Sequence, residues 1–290
     1  MEKLKGIKAY IDALHKKNGP DYDDYDTIVS LLEKTGPEEI DFIREQLKPV
    51  LNPNTLFGFS YTKPFGYNGD FFIIEKMYQQ YVNPDKKYSK WDQFAHRLPV
   101  VIAVVNRKKL AIQILQDYHN RAAGIEKKVL ILGSGPVSEV FEFLSENPES
   151  PLQFDLLDLD DRAIKYAKDK TRKFQHKLTF YNKNVIRFTP ENSYDLIWSA
   201  GLFDYFKDKH FVFLLKKFYQ HLNQGGEIMF GNLNVENPSR KIMEILGDWF
   251  LYYRSEEDLI KFAIQAGVPE DKIEVTREPL GINLFLRVRK

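Results

Sequence analysis

Two glycines and an aspartate are spaced in the manner of a nucleoside-binding site. The apolar run 129–132 leads directly into Gly133, Ser134 and Gly135, and a segment of helical periodicity follows. Asp158 stands 25 residues after Gly133, at the end of a second apolar run. Glycines let a backbone approach a ligand closely, and an acid at the end of the next strand can accept hydrogen bonds from ribose hydroxyls. The spacing therefore predicts a strand–turn–helix–strand unit that holds a nucleoside.

Composition argues against several classes of function. The 290 residues include 42 Lys and Arg and 41 Asp and Glu, so we predict no nucleic-acid partner. The absence of cysteine excludes disulfides and thiolate zinc sites, and no other metal-ligand spacing occurs, so we predict no metal. The longest apolar run, 98–105, is too short to cross a bilayer, and no secretion signal is visible. We expect a cytoplasmic protein without stable membrane insertion.

The first part of the chain has the periodicity of helices. Apolar residues recur at helical spacing through the first fifty positions. The aromatic and glycine-rich segment 55–70 predicts an irregular connection, which either packs against other residues or lines a pocket. Helices are predicted over 71–82 and 91–121, and Pro99 predicts a kink or a break in the second of them.

Beyond Gly124 the pattern changes to alternating strands and helices, which predicts a parallel sheet with helices on both faces. The tail instead predicts two consecutive strands, 272–276 and 282–288, as an antiparallel hairpin. We therefore predict an α/β fold with a Rossmann-like sheet over residues 125–290, and a helical N-terminal region over residues 1–124 that lids the site. The other predicted strands are 128–132, 153–158, 178–182, 194–199 and 226–231, and the predicted helices are 138–146, 161–174, 208–222, 239–250 and 256–266.

Three cofactors, NAD, FAD and S-adenosylmethionine, are compatible with a glycine turn of this kind. The dinucleotide pattern requires a third glycine, and this chain has Ser138 at that position. A pyrophosphate needs the close packing that this glycine allows, whereas a sulfonium amino acid has no pyrophosphate. Only one nucleotide-binding half is visible, and a hairpin ends the sheet. These features favour S-adenosylmethionine.

Further segments carry a resemblance to class I methyltransferases. Residues 194–205 resemble the stretch where the fourth strand opens into the active-site loop. Residues 222–226 resemble the motif L-x-P-G-G before the fifth strand, with Gln224 in place of the proline.

Two segments, 63–70 and 248–254, make the resemblance more specific. Together with the glycine turn they are similar to the bacterial 3-hydroxypalmitate methyl ester synthases, from about residue 55 to the C-terminus. Further matching segments are 106–107, 132–139, 199–205, 231–232 and 237–240. The resemblance implies S-adenosylmethionine as cofactor and O-methylation of a carboxylate, such as that of a hydroxy fatty acid.

The resemblance also implies a set of cofactor-binding residues. Gly133, Ser134 and Gly135 are expected to lie beneath the methionine part, and Asp158 is expected to bind the ribose. Glu139 either reaches the ammonium group of the cofactor or merely complements the helix dipole. The remaining predicted contacts are Asn184 and Val185 at the adenine and the backbone of Ser199, Ala200 and Gly201 near the sulfonium.

The chemistry of the methyl acceptor decides whether a base is needed. A carboxylate is already ionised and needs only a cation to hold it, for which Arg107 and Arg254 are candidates. A hydroxyl or an amine would require a base, for which Asp70 and Asp204 are candidates. The residues predicted to assist are Tyr67, Tyr205 and Asn232. The predicted wall of the acceptor site is Tyr61, Phe203, Trp249 and Tyr253, with core packing as the alternative for the last two.

Two other functions remain compatible with the sequence. The motif Gly-Ser-Gly-Pro also occurs in nicotianamine-synthase-like enzymes, which transfer the aminobutyryl arm of the same cofactor. The chain could also bind S-adenosylmethionine without catalysis. In the methyltransferase interpretation the partner is a small-molecule acceptor, and the sequence does not predict the oligomeric state.

Overall fold

A computed structural model describes residues 2–290, and the chain divides into two compact units. The helical unit contains Met1–Ile102 and Asn237–Phe250, and the sheet unit contains Ala103–Glu236 and Leu251–Lys290. Each unit therefore consists of two separate segments of the chain.

Residues 2–290 form twelve α-helices and seven β-strands. The helices are α1 (Glu2–Lys16), α2 (Tyr25–Glu33), α3 (Pro37–Leu47), α4 (Leu56–Thr62), α5 (Phe71–Tyr78), α6 (Lys86–His96), α7 (Pro99–Ala122), α8 (Ser138–Glu146), α9 (Asp161–Lys170), α10 (Asp208–Gln220), α11 (Arg240–Leu246) and α12 (Glu256–Gln265). The strands are β1 (Lys127–Leu132), β2 (Leu152–Asp158), β3 (Leu178–Asn182), β4 (Tyr194–Ser199), β5 (Leu222–Leu233), β6 (Ile273–Arg277) and β7 (Asn283–Arg289).

Helix packing builds the helical unit. Ile7, Ile11 and Leu14 lie on one face of α1 and are buried, which is the spacing expected of an amphipathic helix. Helix α1 contacts α3, and α4 contacts α5 and α6. Helix α11 is distant in sequence but contacts α2, α3 and α4, which explains why Asn237–Phe250 belongs to this unit.

The aromatic segment is more regular than predicted, because its first part forms α4. Thr55 caps this helix, since its Oγ1 accepts a hydrogen bond from the N–H of Gly58 over 3.0 Å. Lys63 ends it in the left-handed conformation, with φ of 48°. A side chain at position 58 would clash with the backbone of Asn52, so a glycine is required there. The prediction of an irregular connection throughout 55–70 was therefore wrong.

Local backbone geometry explains the outcome of two other helix predictions. The predicted break at Pro99 is confirmed, because α6 ends at His96 and α7 begins at Pro99. The helix predicted over 239–250 is shorter, since α11 ends at Leu246. Asp248 adopts φ of +47°, which a continuing right-handed helix cannot accommodate.

The seven strands form one sheet in the order β3-β2-β1-β4-β5-β7-β6. Strands β1 to β5 pair in parallel, whereas β7 pairs antiparallel to both β5 and β6. The carboxyl ends of β1 and β4 are adjacent at the point where the strand order reverses, which is the usual ligand crevice of such sheets. The predicted α/β fold, with a parallel sheet and an antiparallel terminal hairpin, is confirmed.

The long helix α7 begins in the helical unit and continues into the sheet unit. Its residues Ala111, Leu115 and Tyr118 are buried against one face of the sheet together with β1 and β2 residues. This packing places 103–122 with the sheet, whereas the sequence pattern put the boundary at Gly124. Within residues 2–290, no helix combines the length and the apolar character that crossing a membrane requires.

Candidate cofactor site

The glycine turn and Asp158 are joined by hydrogen bonds at the carboxyl ends of β1 and β2. The N–H groups of Gly133 and Ser134 both donate to the carbonyl oxygen of Leu157, over 2.9 and 3.0 Å. The N–H of Gly135 donates to Oδ2 of Asp158 over 2.8 Å. Gly133 and Gly135 have φ of +66° and +52°, a region that glycine adopts without strain. The structure thus brings together the residues that the sequence predicted to bind a nucleoside.

Asp158 has its carboxylate oriented by the backbone on both sides. Its Oδ1 accepts a hydrogen bond from the N–H of Asp160 over 2.9 Å. Burial raises the pKa of Asp158, and the hydrogen bonds from Asp160 and Gly135 act in the opposite direction. Each carboxylate oxygen can accept more than one hydrogen bond, so both remain able to accept a ribose hydroxyl. Asp160 itself caps α9, accepting from the N–H of Arg162 over 3.0 Å.

The turn leaves room and one hydrogen-bonding group for a ligand. Ser134 is 4% exposed, and among residues 2–290 its Oγ has no hydrogen-bond partner. A Cβ added at Gly135 would meet no atom within 4 Å. A Cβ at Gly133 would instead lie 3.1 Å from Cβ of Leu202. An unpartnered buried hydroxyl and an open space beside Gly135 fit a ligand that passes over this turn.

Backbone strain accompanies the turn. Val137, which precedes α8, has φ of +56° and is completely buried. A β-branched residue in the left-handed region costs about 1–3 kcal/mol, and such strain clusters at ligand-binding sites. The apolar packing around Val137 must therefore stabilise its left-handed backbone conformation.

Glu139 lies in the first turn of α8 and is 7% exposed. Burial raises the pKa of Glu139, and the charges of Lys170, Arg107 and Lys108 act in the opposite direction. No sequence motif marks Lys108 or Lys170, because they come from α7 and α9 and reach this position only through the tertiary fold.

The segment after β3 lies next to Asp158, since the N–H of Lys183 donates to the carbonyl oxygen of Asp158 over 3.1 Å. Asn184 uses its Oδ1 to accept from the N–H of Ile186 over 2.8 Å. Val185 is buried in the core with β1 and β4 residues. The fold therefore brings the predicted adenine-binding pair to the strand end where the predicted ribose-binding acid lies.

The end of β4 is tied both to β1 and to α7. Oγ of Ser199 donates to the carbonyl oxygen of Leu132 over 2.8 Å. Nη1 of Arg107 donates to the carbonyl oxygen of Ala200 over 3.2 Å. A Cβ at Gly201 would lie 2.9 Å from that same Nη1, so glycine is needed for the close approach of Arg107. Arg107 thereby brings a positive charge to the edge of the sheet where the glycine turn lies.

Arg254 and Asn232, which the sequence placed at the acceptor, bind protein groups instead. Arg254 is 2% exposed, and its Nη1 donates to Oδ1 of Asn232 over 2.7 Å and to the carbonyl oxygen of Phe203 over 3.1 Å. Its Nη2 donates to the carbonyl oxygen of Phe206 and to Asp208. Nδ2 of Asn232 donates to the carbonyl oxygen of Tyr252 over 2.9 Å. These contacts favour a structural role in holding the turn 203–206.

Two predicted residues in that turn differ in their environments. Phe203 is completely buried and stacks on Phe230 with ring centroids 3.9 Å apart, which is core packing rather than the wall of a pocket. Asp204 is 2% exposed, and its Oδ1 accepts from the N–H of Leu233 over 2.7 Å. Burial raises the pKa of Asp204 to about 6, although the Leu233 hydrogen bond and the charges of Arg107 and Arg254 oppose this.

Two tyrosines of the sheet unit flank these residues. Tyr205 is 38% exposed, and its N–H donates to the carbonyl oxygen of Leu202 over 3.2 Å. Tyr253 is partly exposed and directly precedes Arg254. Tyr205 therefore belongs to the turn that Arg254 holds, and Tyr253 is the neighbour of Arg254 in sequence.

The remaining four predicted residues belong to the helical unit. Asp70 caps α5, and its Oδ1 accepts from two backbone N–H groups over 2.8 and 3.0 Å. Tyr61 lies beneath the guanidinium of Arg44, at 5.3 Å from ring centroid to Cζ. Trp249 is 9% exposed, whereas Tyr67 is 39% exposed. The cap gives Asp70 a local structural role.

Comparison with known proteins agrees with this arrangement. Residues 130–228 match the family described as a methyltransferase domain. A segment of 109 residues is 32% identical to malonyl-[acyl-carrier protein] O-methyltransferase 1 of Ilyobacter polytropus. That segment is 37% of this chain and 39% of the relative, so the chain spans about two fifths of the length of the curated protein that it matches.

Three solved structures share the fold at low sequence identity. A possible exported protein of Bordetella parapertussis aligns with a TM-score of 0.64 at 17% identity, over 76% of this chain and 79% of that chain. A putative O-methyltransferase of Nostoc punctiforme gives 0.52 at 15% identity, over 66% and 60%. The magnesium protoporphyrin IX methyltransferase of Synechocystis, solved with bound S-adenosylhomocysteine, gives 0.51 at 12% identity, over 66% and 88%.

The family match covers the strands whose ends form the candidate site. Residues 130–228 begin in β1 and end in β5, so the match contains the glycine turn, Asp158 and the end of β4. Residues 130–228 therefore match a methyltransferase domain, and they lie on a sheet with the class I methyltransferase fold.

Proposed function

We propose that this chain transfers a methyl group from S-adenosylmethionine to a small, apolar acceptor. The observation that carries the proposal is the 2.8 Å hydrogen bond from the N–H of Gly135 to Asp158, inside the matched domain. It joins the turn that would hold the methionine part to the acid that would hold the ribose. Both groups then contact one ligand from two sides.

The cofactor would be held by residues at the strand ends. Asp158 accepts hydrogen bonds from the ribose hydroxyls, and the turn at Gly133 and Gly135 lies against the methionine part. The adenine lies near Asn184 and Val185. Bound in this way, S-adenosylmethionine supplies an electrophilic methyl group. The chain itself mainly positions the acceptor and excludes water, effects that can be worth on the order of 7–11 kcal/mol.

The proposed acceptor is a carboxylate, such as that of a hydroxy fatty acid. Arg107 supports an anionic acceptor, because its Nη1 is fixed on the carbonyl oxygen of Ala200, beside Gly201. A guanidinium there attracts a carboxylate and repels an ammonium group. The fatty chain is proposed from the resemblance to 3-hydroxypalmitate methyl ester synthases. The Ilyobacter relative is likewise an O-methyltransferase, named for malonyl-[acyl-carrier protein].

No proton needs to move when the acceptor is a carboxylate, because its oxygen is already an anion at neutral pH. Arg107 then holds one carboxylate oxygen while the other attacks the methyl carbon. Leu202 and Tyr205, which follow Gly201 and are partly exposed, contact the apolar part of the acceptor.

A hydroxyl acceptor is the second candidate, and Asp204 is the observation that favours it. Its side chain is buried, and its Oδ1 accepts the N–H of Leu233 over 2.7 Å. Burial raises the pKa of Asp204 to about 6, which is close to the value that suits a general base at neutral pH. In this reaction Oδ2 would accept the hydroxyl proton as the C–O bond forms.

Product analysis distinguishes these reactions. Purified protein is incubated with S-adenosylmethionine and a 3-hydroxy fatty acid, and the lipid product is identified by mass spectrometry. A methyl ester with S-adenosylhomocysteine supports the carboxylate acceptor, and a methyl ether supports the hydroxyl acceptor. Methylthioadenosine in place of S-adenosylhomocysteine would indicate aminobutyryl transfer and overturn the proposal. Binding without turnover across fatty acids, other carboxylates and amines would favour a non-catalytic protein.

Substitution of Arg107 tests how the acceptor is held. Arg107→Gln should raise the KM for the acid by about 10-fold or more, because a charge-assisted contact is lost. Binding of S-adenosylhomocysteine should change much less. The matched control is Arg121→Gln, since Arg121 lies on the same helix α7 and is exposed. An unchanged KM in the Arg107 variant would exclude this residue as the acceptor contact.

A further inference from the structure

Glu278 is a buried carboxylate that accepts hydrogen bonds from neutral donors on both of its oxygens. It is 2% exposed and lies in the short connection between β6 and β7. Its Oε1 accepts from the N–H groups of Ile282 and Asn283 over 2.8 and 3.3 Å, and its Oε2 accepts from the N–H of Leu280 over 2.9 Å. Removing a carboxylate from water is costly unless hydrogen bonds replace the lost hydration. These backbone N–H groups supply part of that replacement within the hairpin itself.

A further donor to Glu278 comes from helix α7. Nδ2 of Asn106 donates to Oε2 of Glu278 over 2.9 Å. The two residues are 172 positions apart in sequence, so this hydrogen bond joins α7 to the hairpin of β6 and β7. Both residues lie within the sheet unit. A hydrogen bond from an amide to a carboxylate is stronger than one between two neutral groups, so it can fix the helix against the hairpin.

Arg107 directly follows Asn106 in sequence and is the proposed contact of the acceptor carboxylate. Its Nη1 donates to the carbonyl oxygen of Ala200 over 3.2 Å. A Cβ added at Gly201 would lie 2.9 Å from the same nitrogen, so the guanidinium lies close against the backbone that follows β4. Neighbouring residues of a helix share one regular backbone. A contact that fixes Asn106 therefore also fixes the rotation of α7 from which the Arg107 side chain extends.

Apolar contacts hold α7 on the sheet further along the helix, about one to three turns beyond Arg107. The buried side chains that make them include Ala111, Leu115 and Tyr118. Apolar packing is non-directional, whereas a hydrogen bond requires a defined distance and angle. The hydrogen bond from Asn106 to Glu278 therefore adds a directional constraint next to Arg107, which the apolar contacts do not supply.

We propose that Glu278 is a positioning residue for the methyl acceptor, which acts through Asn106 to hold the guanidinium of Arg107 at the end of β4. The inference rests on the proposed carboxylate acceptor and assigns a role to a residue outside the cofactor-binding strand ends. Glu278 itself does not touch the acceptor, because its carboxylate is buried and bound by the hairpin and by Asn106. Its effect is therefore expected on the affinity for the acid and not on the affinity for the cofactor.

Kinetics of methyl ester formation from a 3-hydroxy fatty acid test the inference. Asn106→Ala removes the contact with α7 and leaves the backbone N–H groups of the hairpin on Glu278. Its KM for the acid should rise about 5-fold or more while kcat changes by less than about 2-fold, because a displaced guanidinium binds the carboxylate poorly. Glu278→Gln should show the same division between KM and kcat, since its amide has one oxygen for all the donors. The Kd of S-adenosylhomocysteine should change by less than about 2-fold in both variants.

Each variant has a matched control. Asn120→Ala changes an exposed amide on the same helix, and Glu274→Gln changes an exposed acid on β6 that pairs with Arg289. Both controls should keep the wild-type KM. In the Arg107→Gln background, Asn106→Ala should raise KM by less than about 2-fold, because two residues that act through one contact do not have additive effects. Additive effects on KM, or a lower kcat at an unchanged KM, would overturn the inference.

A spectroscopic measurement makes the test independent of turnover. The side-chain nitrogen NMR signals of Arg107, identified by their loss in Arg107→Gln, report whether the guanidinium is held in place. Asn106→Ala should shift these signals and speed the rotation of the guanidinium, whereas Asn120→Ala should leave them unchanged. Unchanged Arg107 signals in Asn106→Ala would overturn the positioning role, whatever the activity of the variant.

Failure of the inference differs from failure of the proposed function. If wild type neither methylates nor binds a 3-hydroxy fatty acid, the carboxylate acceptor is wrong and the role of Glu278 is overturned with it. If wild type forms the methyl ester and Asn106→Ala keeps the wild-type KM, the proposed function stands and the role of Glu278 is wrong. Folding is checked by thermal unfolding, and Asn106→Ala should stay folded because the hairpin keeps its own hydrogen bonds to Glu278.

Discussion

Nη1 of Arg254 donates a hydrogen bond to Oδ1 of Asn232 over 2.7 Å, and both side chains are buried. From sequence alone, each residue is predicted to hold a methyl acceptor. In the fold they hold each other, together with the carbonyl oxygens of Phe203 and Phe206. The pair therefore fixes the turn that contains Asp204, and the proposed acceptor contact passes to Arg107.

Replacing Arg254 should destabilise the protein much more than replacing its charged partner. Arg254→Met removes the donor to Oδ1 of Asn232 and to the carbonyl oxygen of Phe206, whereas the carbonyl oxygen of Phe203 keeps the N–H of Phe206. We therefore expect a loss of about 3–5 kcal/mol in unfolding free energy. Asp208 pairs with Arg254 over 3.0 Å, but its side chain is 68% exposed. Asp208→Asn should therefore cost below about 1 kcal/mol. Urea unfolding measures the loss of unfolding free energy in both variants. A loss in Arg254→Met as small as that in Asp208→Asn would contradict the structural role of Arg254.

A methyl group added at Gly135 should abolish cofactor binding without preventing folding. Gly135 has φ of +52°, and the added Cβ would point into open space. Gly135→Ala should thus cost only about 1–2 kcal/mol of backbone strain while it occupies the proposed ligand space. Gly267 is the matched control, because it has φ of +88° and equally open space. Gly267→Ala should show the same backbone strain but bind S-adenosylhomocysteine normally in calorimetry. If both variants bound S-adenosylhomocysteine with equal affinity, the proposed cofactor site at Gly135 would be refuted.

Asp158 should control how tightly the nucleoside part of the ligand binds. Asp158→Asn keeps the shape of the side chain but removes the charge that would accept two ribose hydrogen bonds. We expect about 10-fold or more weaker binding of S-adenosylhomocysteine and of methylthioadenosine alike, since both carry the ribose. Asp160→Asn alters the cap of α9 and the ion pair with Arg162 but leaves the backbone N–H that donates to Asp158, and it should bind both ligands normally. If Asp158→Asn weakened the binding of only one of the two ligands, Asp158 would not be the residue that holds their common ribose.

The sheet was predictable because strand burial and strand order follow from short-range patterns. The predicted strands 178–182 and 194–199 begin and end at the same residues in the structure. The hairpin of β6 and β7 was visible from two consecutive strand patterns without a helix between them. Helix α4 was not predictable, because its burial on all sides hides the periodicity of a helix that has one exposed face.

The site was predictable only where backbone geometry defines it. Gly133, Gly135 and Asp158 follow from a local spacing, and they meet as expected. The contacts of Arg254 and Asn232 depend on side chains about 20 residues apart, whose partners no periodicity reveals. Arginine and asparagine bind an acceptor and a protein carbonyl with the same groups, so residue type could not separate the two roles.

Asp248 joins segments of the helical unit that are distant in sequence. Asp248 pairs with Lys63 and, over 3.1 Å, with Arg44. Nδ2 of Asn68 donates to the carbonyl oxygen of Asp248 over 2.6 Å. The segment 63–70 therefore contacts Asp248 through polar groups. These contacts give Lys63, Asn68 and Asp248 a structural role that does not require any of them to touch a substrate.

The pH dependence of stability should reveal the buried Asp204. Burial raises its pKa from the ordinary value of 3.8 to about 6, so the folded protein holds this proton more tightly than the unfolded chain. The stabilisation from Asp204 is complete below about pH 4 and is lost as the pH rises through about 6. At 1.36 kcal/mol per pH unit, the loss amounts to about 3 kcal/mol.

Asp204→Asn should remove this dependence, because an amide does not ionise in this range and its oxygen can still accept from the N–H of Leu233. Relative to wild type, the variant should gain about 3 kcal/mol in unfolding free energy between about pH 4 and pH 6. The exposed Asp208→Asn variant serves as the control and should follow the wild-type curve. Urea unfolding at several pH values measures the three curves. A constant difference between Asp204→Asn and wild type would mean that Asp204 is ionised in the folded protein throughout, which would also remove the argument for it as a base.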